Sequence, residues 1–143
     1  MLFQNESASL ELKVTAYEFP PDVGDREDRN WLVLRCTWTD EEGTIRKDSN
    51  PCLTTQELQE LTAGLKVLNA GIRDAYESDF LATGLSLNAR PAGEDFQVDV
   101  SFLLPNTMDG DDTAELTCHM TKADLKALVN ELDGLCRKFP ERP

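Results

Sequence analysis

A single histidine, no Cys-x-x-Cys pair and no apolar run of membrane length occur in the 143 residues, and each absence excludes a class of protein. Cys118-His119 has no second ligand pair at zinc-like spacing. His119 is predicted to point away from the core, with no serine or cysteine motif beside it to act as nucleophile, so its expected role is structural or incidental. No glycine-rich phosphate loop follows a strand, which removes the commonest signature of a nucleotide enzyme. The loop Met108-Asp109-Gly110-Asp111-Asp112 offers carboxylates, but positions six and twelve of a calcium loop counted from Asp109 hold Ala114 and Met120 instead of glycine and glutamate. Paired carboxylates for acid–base work are assembled in space and leave no mark here. No cofactor, metal or catalytic residue is expected, and no enzyme.

No segment reaches the ~18 apolar residues of a membrane helix, and Met1-Leu2-Phe3-Gln4-Asn5-Glu6 lacks a basic leader region. The expected compartment is the cytoplasm, with Cys36, Cys52, Cys118 and Cys136 reduced. Cys36 and Cys118 fall at inward strand positions and Cys136 on an apolar helix face, where a thiol packs as a small hydrophobe.

What the chain has in excess is negative charge: 27 acids against 14 bases, a net −13. Such a surface repels phosphate, which opposes direct nucleic-acid binding. It favours a basic partner or simply keeps the protein soluble. The length suits one domain, 1–143, burying about 68–70% of the surface of its unfolded chain.

Leu10, Leu12, Val14 and Ala16 alternate with Glu11, Lys13, Thr15 and Tyr17, which predicts a strand over 9–19 with one buried face. Pro20 to Asp28 reads as an exposed acidic loop. From Asn30 to Thr39 apolar residues occupy both parities, Leu32, Leu34, Cys36 and Trp38 against Trp31 and Val33, as in a central or covered strand. Asp40-Glu41-Glu42-Gly43 turns into a short strand, Thr44 to about Asp48, which Asn50-Pro51 is expected to break. A helix follows over 55–69, ended by Gly71. Further strands are predicted at 80–89, Val98 to Leu104 and 114–119.

The last helix is marked by Leu125, Leu128, Val129, Leu132, Leu135, Cys136 and Phe139 on one face, with Thr121 as N-cap and Asp124 near the positive end of the dipole. Leu58, Leu61, Leu65 and Leu68 match Leu125, Leu128, Leu132 and Leu135 at a constant offset, and Thr54 matches Thr121. Strand-like segments precede both helices. The fold class is therefore α+β: two βββα halves, 9–71 and 77–139, forming a largely antiparallel sheet with both helices packed on one face.

By these parities Tyr17, Trp31, Val33 and Leu103 lie opposite the helices. With the acids Asp22, Asp25, Glu27, Asp28, Glu41 and Glu42 around them, Tyr17, Trp31 and Val33 form the candidate partner-binding surface. The alternative is that long loops cover that face and these residues are core.

Tyr17-Glu18-Phe19-Pro20, Asp28-Arg29-Asn30-Trp31-Leu32, Pro51-Cys52-Leu53-Thr54 with Glu57-Leu58, and Lys138-Phe139-Pro140-Glu141-Arg142, in that order and spacing, resemble the WapI family of bacterial immunity proteins. The resemblance implies a cytoplasmic antidote that neutralises a toxin domain delivered by a neighbouring cell, the namesake's effector being a tRNA-cleaving nuclease. It carries over no contact residues; Asn30, Trp31, Pro51 and Cys52 are motif positions with a structural reading. The chain departs from the pattern at Asp48-Ser49-Asn50-Pro51, two residues longer before the proline, and at Arg46, where an aromatic is common. The register of the third strand is left open. The expected function is binding and occlusion of a basic toxin surface; the alternative is a small acidic interaction domain, or a homodimer using the Trp31 face, without catalytic activity.

Overall fold

A threonine opens each helix, and its side chain closes the first turn. In the computed structural model, which describes residues 1–107 and 112–143, Thr54 Oγ1 accepts from the Glu57 N–H at 3.1 Å and the Glu57 carboxylate accepts from the Thr54 N–H at 3.0 Å. Thr121 and Asp124 form the same reciprocal box at 3.1 and 3.0 Å. These bonds satisfy donors that the start of a helix leaves without intrahelical partners. They fix the starts of α1, Thr55–Asn69, and α2, Lys122–Lys138, within a residue of the predicted spans.

Ahead of α1 run β1 (Leu2–Gln4), β2 (Ser9–Tyr17), β3 (Trp31–Thr39) and β4 (Ile45–Thr54); ahead of α2 run β5 (Tyr76–Glu77), β6 (Leu85–Ala92), β7 (Asp95–Leu104) and β8 (Asp112–Met120). They make two four-stranded antiparallel sheets, ordered β1-β2-β3-β4 and β5-β6-β7-β8. The α+β class and its strands-then-helix halves are as read from the sequence, with the ladder divided into two sheets. β1 and β5, three and two residues long, are too short for alternation to show. The predicted carboxylate loop at 108–111 lies outside the described residues; Asp112 opens β8 opposite Leu104.

The expected break at Pro51 does not occur, because β4 runs through it to Thr54. β4 is an edge strand, and its ladder with β3 shifts register here: Leu34 faces Asn50, whereas Leu32 faces Leu53. A proline without an N–H is tolerated at such an edge bulge. The shift takes up one extra residue of β4, three steps from Asn50 to Leu53 against two from Leu34 to Leu32, and fixes the register of this strand on β3.

Alternate residues of both sheets enter one core. Leu10, Leu12 and Val14 stand opposite Trp38, Cys36 and Leu34, while Val98 and Val100 stand between Ala89 and Leu87 on one side and Cys118 and Leu116 on the other. Leu58, Leu61, Leu65 and Leu68 of α1 and Leu125, Leu128, Val129 and Leu132 of α2 complete a continuous buried cluster. Residues with no exposure, such as Phe3, Leu34, Leu65 and Phe102, each contribute about 1.5–3 kcal/mol by burial of this kind. The helices touch each other antiparallel: Thr62 Oγ1 lies 3.4 Å from Cys136 Sγ, and Lys66 Nζ lies 3.2 Å from Asp133 Oδ1.

A polar seam joins the two sheets. Alternate residues of β4 reach across it: Arg46 pairs with Asp112 at 3.3 Å, Asp48 accepts from the Asn106 N–H and side-chain amide at 2.7 and 2.8 Å, and the Asn50 amide donates to Leu103 O at 3.3 Å. Burial by itself would push the Asp48 carboxyl up, but the bonds from Asn106 and from the Ser49 N–H outweigh it and hold the group below its ordinary value. Gly84 sits against this seam, where a Cβ would fall 2.6 Å from Asn50 Nδ2 and 2.7 Å from Cys52 Cβ. Only glycine lets the backbones approach so closely.

Candidate functional site

The segments that carry the family resemblance are far apart in the chain and meet in space. The register of β2 on β3 shifts between Val14 and Ala16. One extra residue reverses the facing of the strand beyond it. Tyr17 consequently stands opposite Leu32, on the core side, rather than beside Trp31 as the alternation predicted. Its ring meets Phe139 edge-on at 5.5 Å, its hydroxyl donates to Pro140 O, and the Arg142 guanidinium covers it at 3.4 Å from the centroid. Arg142 also donates to Phe19 O at 3.0 Å. Tyr17 is thus a post on which residues 139–142 are fastened.

Asn30 is the second post. Its Nδ2 donates to the carbonyls of Arg26 and Arg142 at 2.8 and 2.9 Å, and its Oδ1 accepts from Thr55 Oγ1 and the Arg142 N–H at 2.9 and 2.8 Å. All four hydrogen-bonding positions of the amide are occupied, as a buried amide requires. One side chain therefore ties together the acidic loop, the start of α1 and the 140–142 segment. The Asn30 motif position is structural, in keeping with its reading from the sequence.

The acidic loop is folded, not loose. Asp25 Oδ1 accepts from the Asp28 N–H at 2.9 Å, and Asp28 Oδ2 accepts from the Asp25 N–H at 3.1 Å. Arg26 is paired with Glu141. Asp22, Asp25 and Glu27 remain exposed and Asp28 half-buried. Glu41 and Glu42 are exposed at the β3–β4 hairpin, where Asp40 Oδ1 accepts from the N–H groups of Glu42 and Thr44 and Gly43 takes a positive φ of 82°. Among the described residues none of Asp22, Asp25, Glu27, Asp28, Glu41 and Glu42 is in an ion pair. The six acids form two clusters at opposite ends of β3, whose nine residues span roughly 27–30 Å.

Between these clusters lies the outer face of the first sheet. Trp31 and Val33 are half-buried on it, at alternate positions from the buried Leu32 and Leu34. Leu103 belongs to the second sheet and does not join them. Lys13, Arg35 and Lys47, which the sequence reading did not single out, occupy the same face: Lys13 stands opposite Arg35, and Lys47 opposite Thr37. Their outward parity was readable from the alternation, but their adjacency needed the register.

The remaining reactive groups are engaged or buried. His119 Nε2 lies 2.9 Å from Asp95 Oδ2 on the exposed side of the second sheet. Burial pushes the Cys36 and Cys52 thiols up to about 12 and the Cys118 thiol up to about 11, far from the thiolate a nucleophile needs. A polar cleft of about 670 Å³ opens beside Arg26, Asn30, Thr55 and Gln56, with the Asn30 and Thr55 side chains already bonded to each other. Among the described residues no three His, Cys, Asp or Glu side chains are grouped to hold a metal ion, and no helix is long and apolar enough to cross a membrane.

Two antiparallel sheets and two boxed helices define an α+β protein, and its exposed charge is segregated along the first sheet. The model of the immunity protein WapI-like family matches residues 1–140, and the chain belongs to that family. No curated protein matches it.

Proposed function

We propose that this chain is a cytoplasmic antidote that binds a cognate toxin domain stoichiometrically and neutralises it by covering a basic active surface, such as the phosphate-binding face of a nuclease. The observation that carries this reading is membership of an immunity-protein family over nearly the whole chain. The mode follows from charge. A net −13 steers encounter with a basic surface, and the two acidic clusters at the ends of β3 are positioned to straddle one. Trp31 and Val33 between them supply apolar contact of the kind that anchors interfaces. Neutralisation by occlusion requires no chemistry of the antidote itself.

The test is capture by the purified chain of the effector domain encoded by the nearest large secreted-protein gene, at low and high salt. A one-to-one complex that suppresses the toxin's activity and forms more slowly in high salt supports the reading. Absence of a complex at either salt, with folded protein, rejects that domain as the partner. Self-association of the chain in the same experiment would favour the homodimer instead.

A further inference from the structure

Across β2, β3 and β4 the first sheet carries a cationic patch in a strongly acidic protein. Lys13 and Arg35 are direct cross-strand partners, and Lys47 stands opposite Thr37, one outward position along β3 from Arg35. All three are exposed. Two acids lie along the face: Glu11, which stands opposite Thr37 and lies 3.6 Å from Lys13, and the exposed Glu18 at the Trp31 end, whose N–H donates to Trp31 O at 2.9 Å. Among the described residues Arg35 and Lys47 take part in no ion pair. Like charges directly opposed across a ladder destabilise it, so folding gains nothing from this arrangement. Val33 and Trp31 continue the row along β3 at the two preceding outward positions.

We infer that this face is a docking surface for a carboxylate-bearing segment of the protein partner, which places Asp or Glu side chains on Arg35 and Lys47 and an apolar side chain on Val33 and Trp31. The occupant is a protein and not a polyanion. Nucleic acid or an anionic bilayer would extend over the acidic clusters at both ends of β3 and be repelled, whereas a protein can carry a few carboxylates locally and basic residues on either side. The resulting order, acidic, cationic, acidic along one strand, sets orientation and partner choice in a way that uniform negative charge does not. The inference deepens the antidote reading by adding an acidic element to the toxin surface, and it rests on that reading for the identity of the partner.

The variant Arg35→Glu with Lys47→Glu tests it, in two arms. In the first, binding to the effector domain is compared with that of the unaltered chain; the expected loss is on the order of tenfold or more, with an unchanged circular dichroism spectrum. In the second, a short glutamate-rich peptide containing one leucine is titrated into each protein and amide shifts are followed by NMR. Saturable shifts confined to residues around 13, 33, 35 and 47, absent from the variant, are expected. If the unaltered chain binds the effector domain and the variant binds it equally well, the docking surface is wrong and the antidote reading stands. If the effector domain does not bind but the peptide gives these shifts, the surface stands and that toxin assignment fails. Binding to neither overturns the docking surface and rejects that domain as the partner. Should the double variant unfold, Arg35→Thr serves in its place; it removes one opposed charge and is expected to raise the melting temperature while weakening both interactions.

Discussion

Lys66 and Asp133, 67 residues apart, meet at 3.2 Å across the helix pair, and that spacing is the one that relates the leucines of α1 to those of α2. Each residue touches its own counterpart in the other half. Equivalent positions of the two leucine patterns therefore face each other where the antiparallel helices meet. The same spacing superposes the start of β4 at Ile45 on the start of β8 at Asp112 and the N-cap Thr54 on Thr121.

The pair itself does little for stability. Its side chains are 57% and 33% exposed, so Lys66→Ala is expected to cost less than about 1 kcal/mol. Leu65→Ala, at a position with no exposure, is expected to cost about 2–5 kcal/mol. Urea denaturation of both variants checks the contrast, and equal losses would give the ion pair a weight this geometry does not support.

Asn30→Ala leaves the Thr55 hydroxyl, the Arg142 N–H and the carbonyls of Arg26 and Arg142 without their shared amide partner, and is expected to cost about 2–4 kcal/mol. Deleting residues 140–143 removes several of the same bonds. The two changes should therefore be less than additive when combined. Denaturation midpoints of the single and combined variants measure the coupling; full additivity would show that Asn30 and the 140–143 segment act independently.

Asp48 predicts an acid limb in the stability profile. Its carboxyl is held below the ordinary value in the folded state, against about 3.9 in the unfolded chain. The stabilisation is fully present above the unfolded value and is lost as pH falls through the folded one. Asp48→Asn should be destabilising at neutral pH, with the difference from the unaltered chain shrinking from about pH 5 down to pH 2. Denaturation across that range is the measurement, and a difference independent of pH would remove Asp48 from the acid response.

Reversing the hairpin charges, Glu41→Lys with Glu42→Lys, should slow association with a basic toxin domain several-fold to about tenfold at low salt while leaving dissociation nearly unchanged. Trp31→Arg should instead accelerate dissociation and leave the protein folded, since the side chain is only half-buried on the outer face. Surface plasmon resonance at two salt concentrations separates the two effects. An unfolded Trp31→Arg protein would assign Trp31 to the core.

Local patterns were enough to find both helices, because capping threonines and leucines at steps of three and four are marks written within one turn of each other. The core parities of β3 and β7 were legible for the same reason. Facing was misread where one residue interrupts the ladder: the shift beside Thr15 carries Tyr17 to the core side, and nothing in Val14-Thr15-Ala16 announces it. Pro51 was read as a break because its effect depends on whether the strand is at an edge, which is settled by pairing. The convergence of Tyr17, Asn30 and Arg142 depends on contacts across more than a hundred residues. Their motifs could be recognised, but their common purpose is visible only in three dimensions.

The buried thiols give the molecule its own clocks. Cys36 and Cys52 lie in β3 and β4, and Cys118 lies in β8, so alkylation of each reports the opening of one sheet on the time scale at which that sheet exposes its interior. Equal rates at the three positions would mean that the halves breathe as one unit across the seam of Arg46, Asp48 and Asn50. Faster capture at Cys118 would mean that the second half opens while the first remains closed.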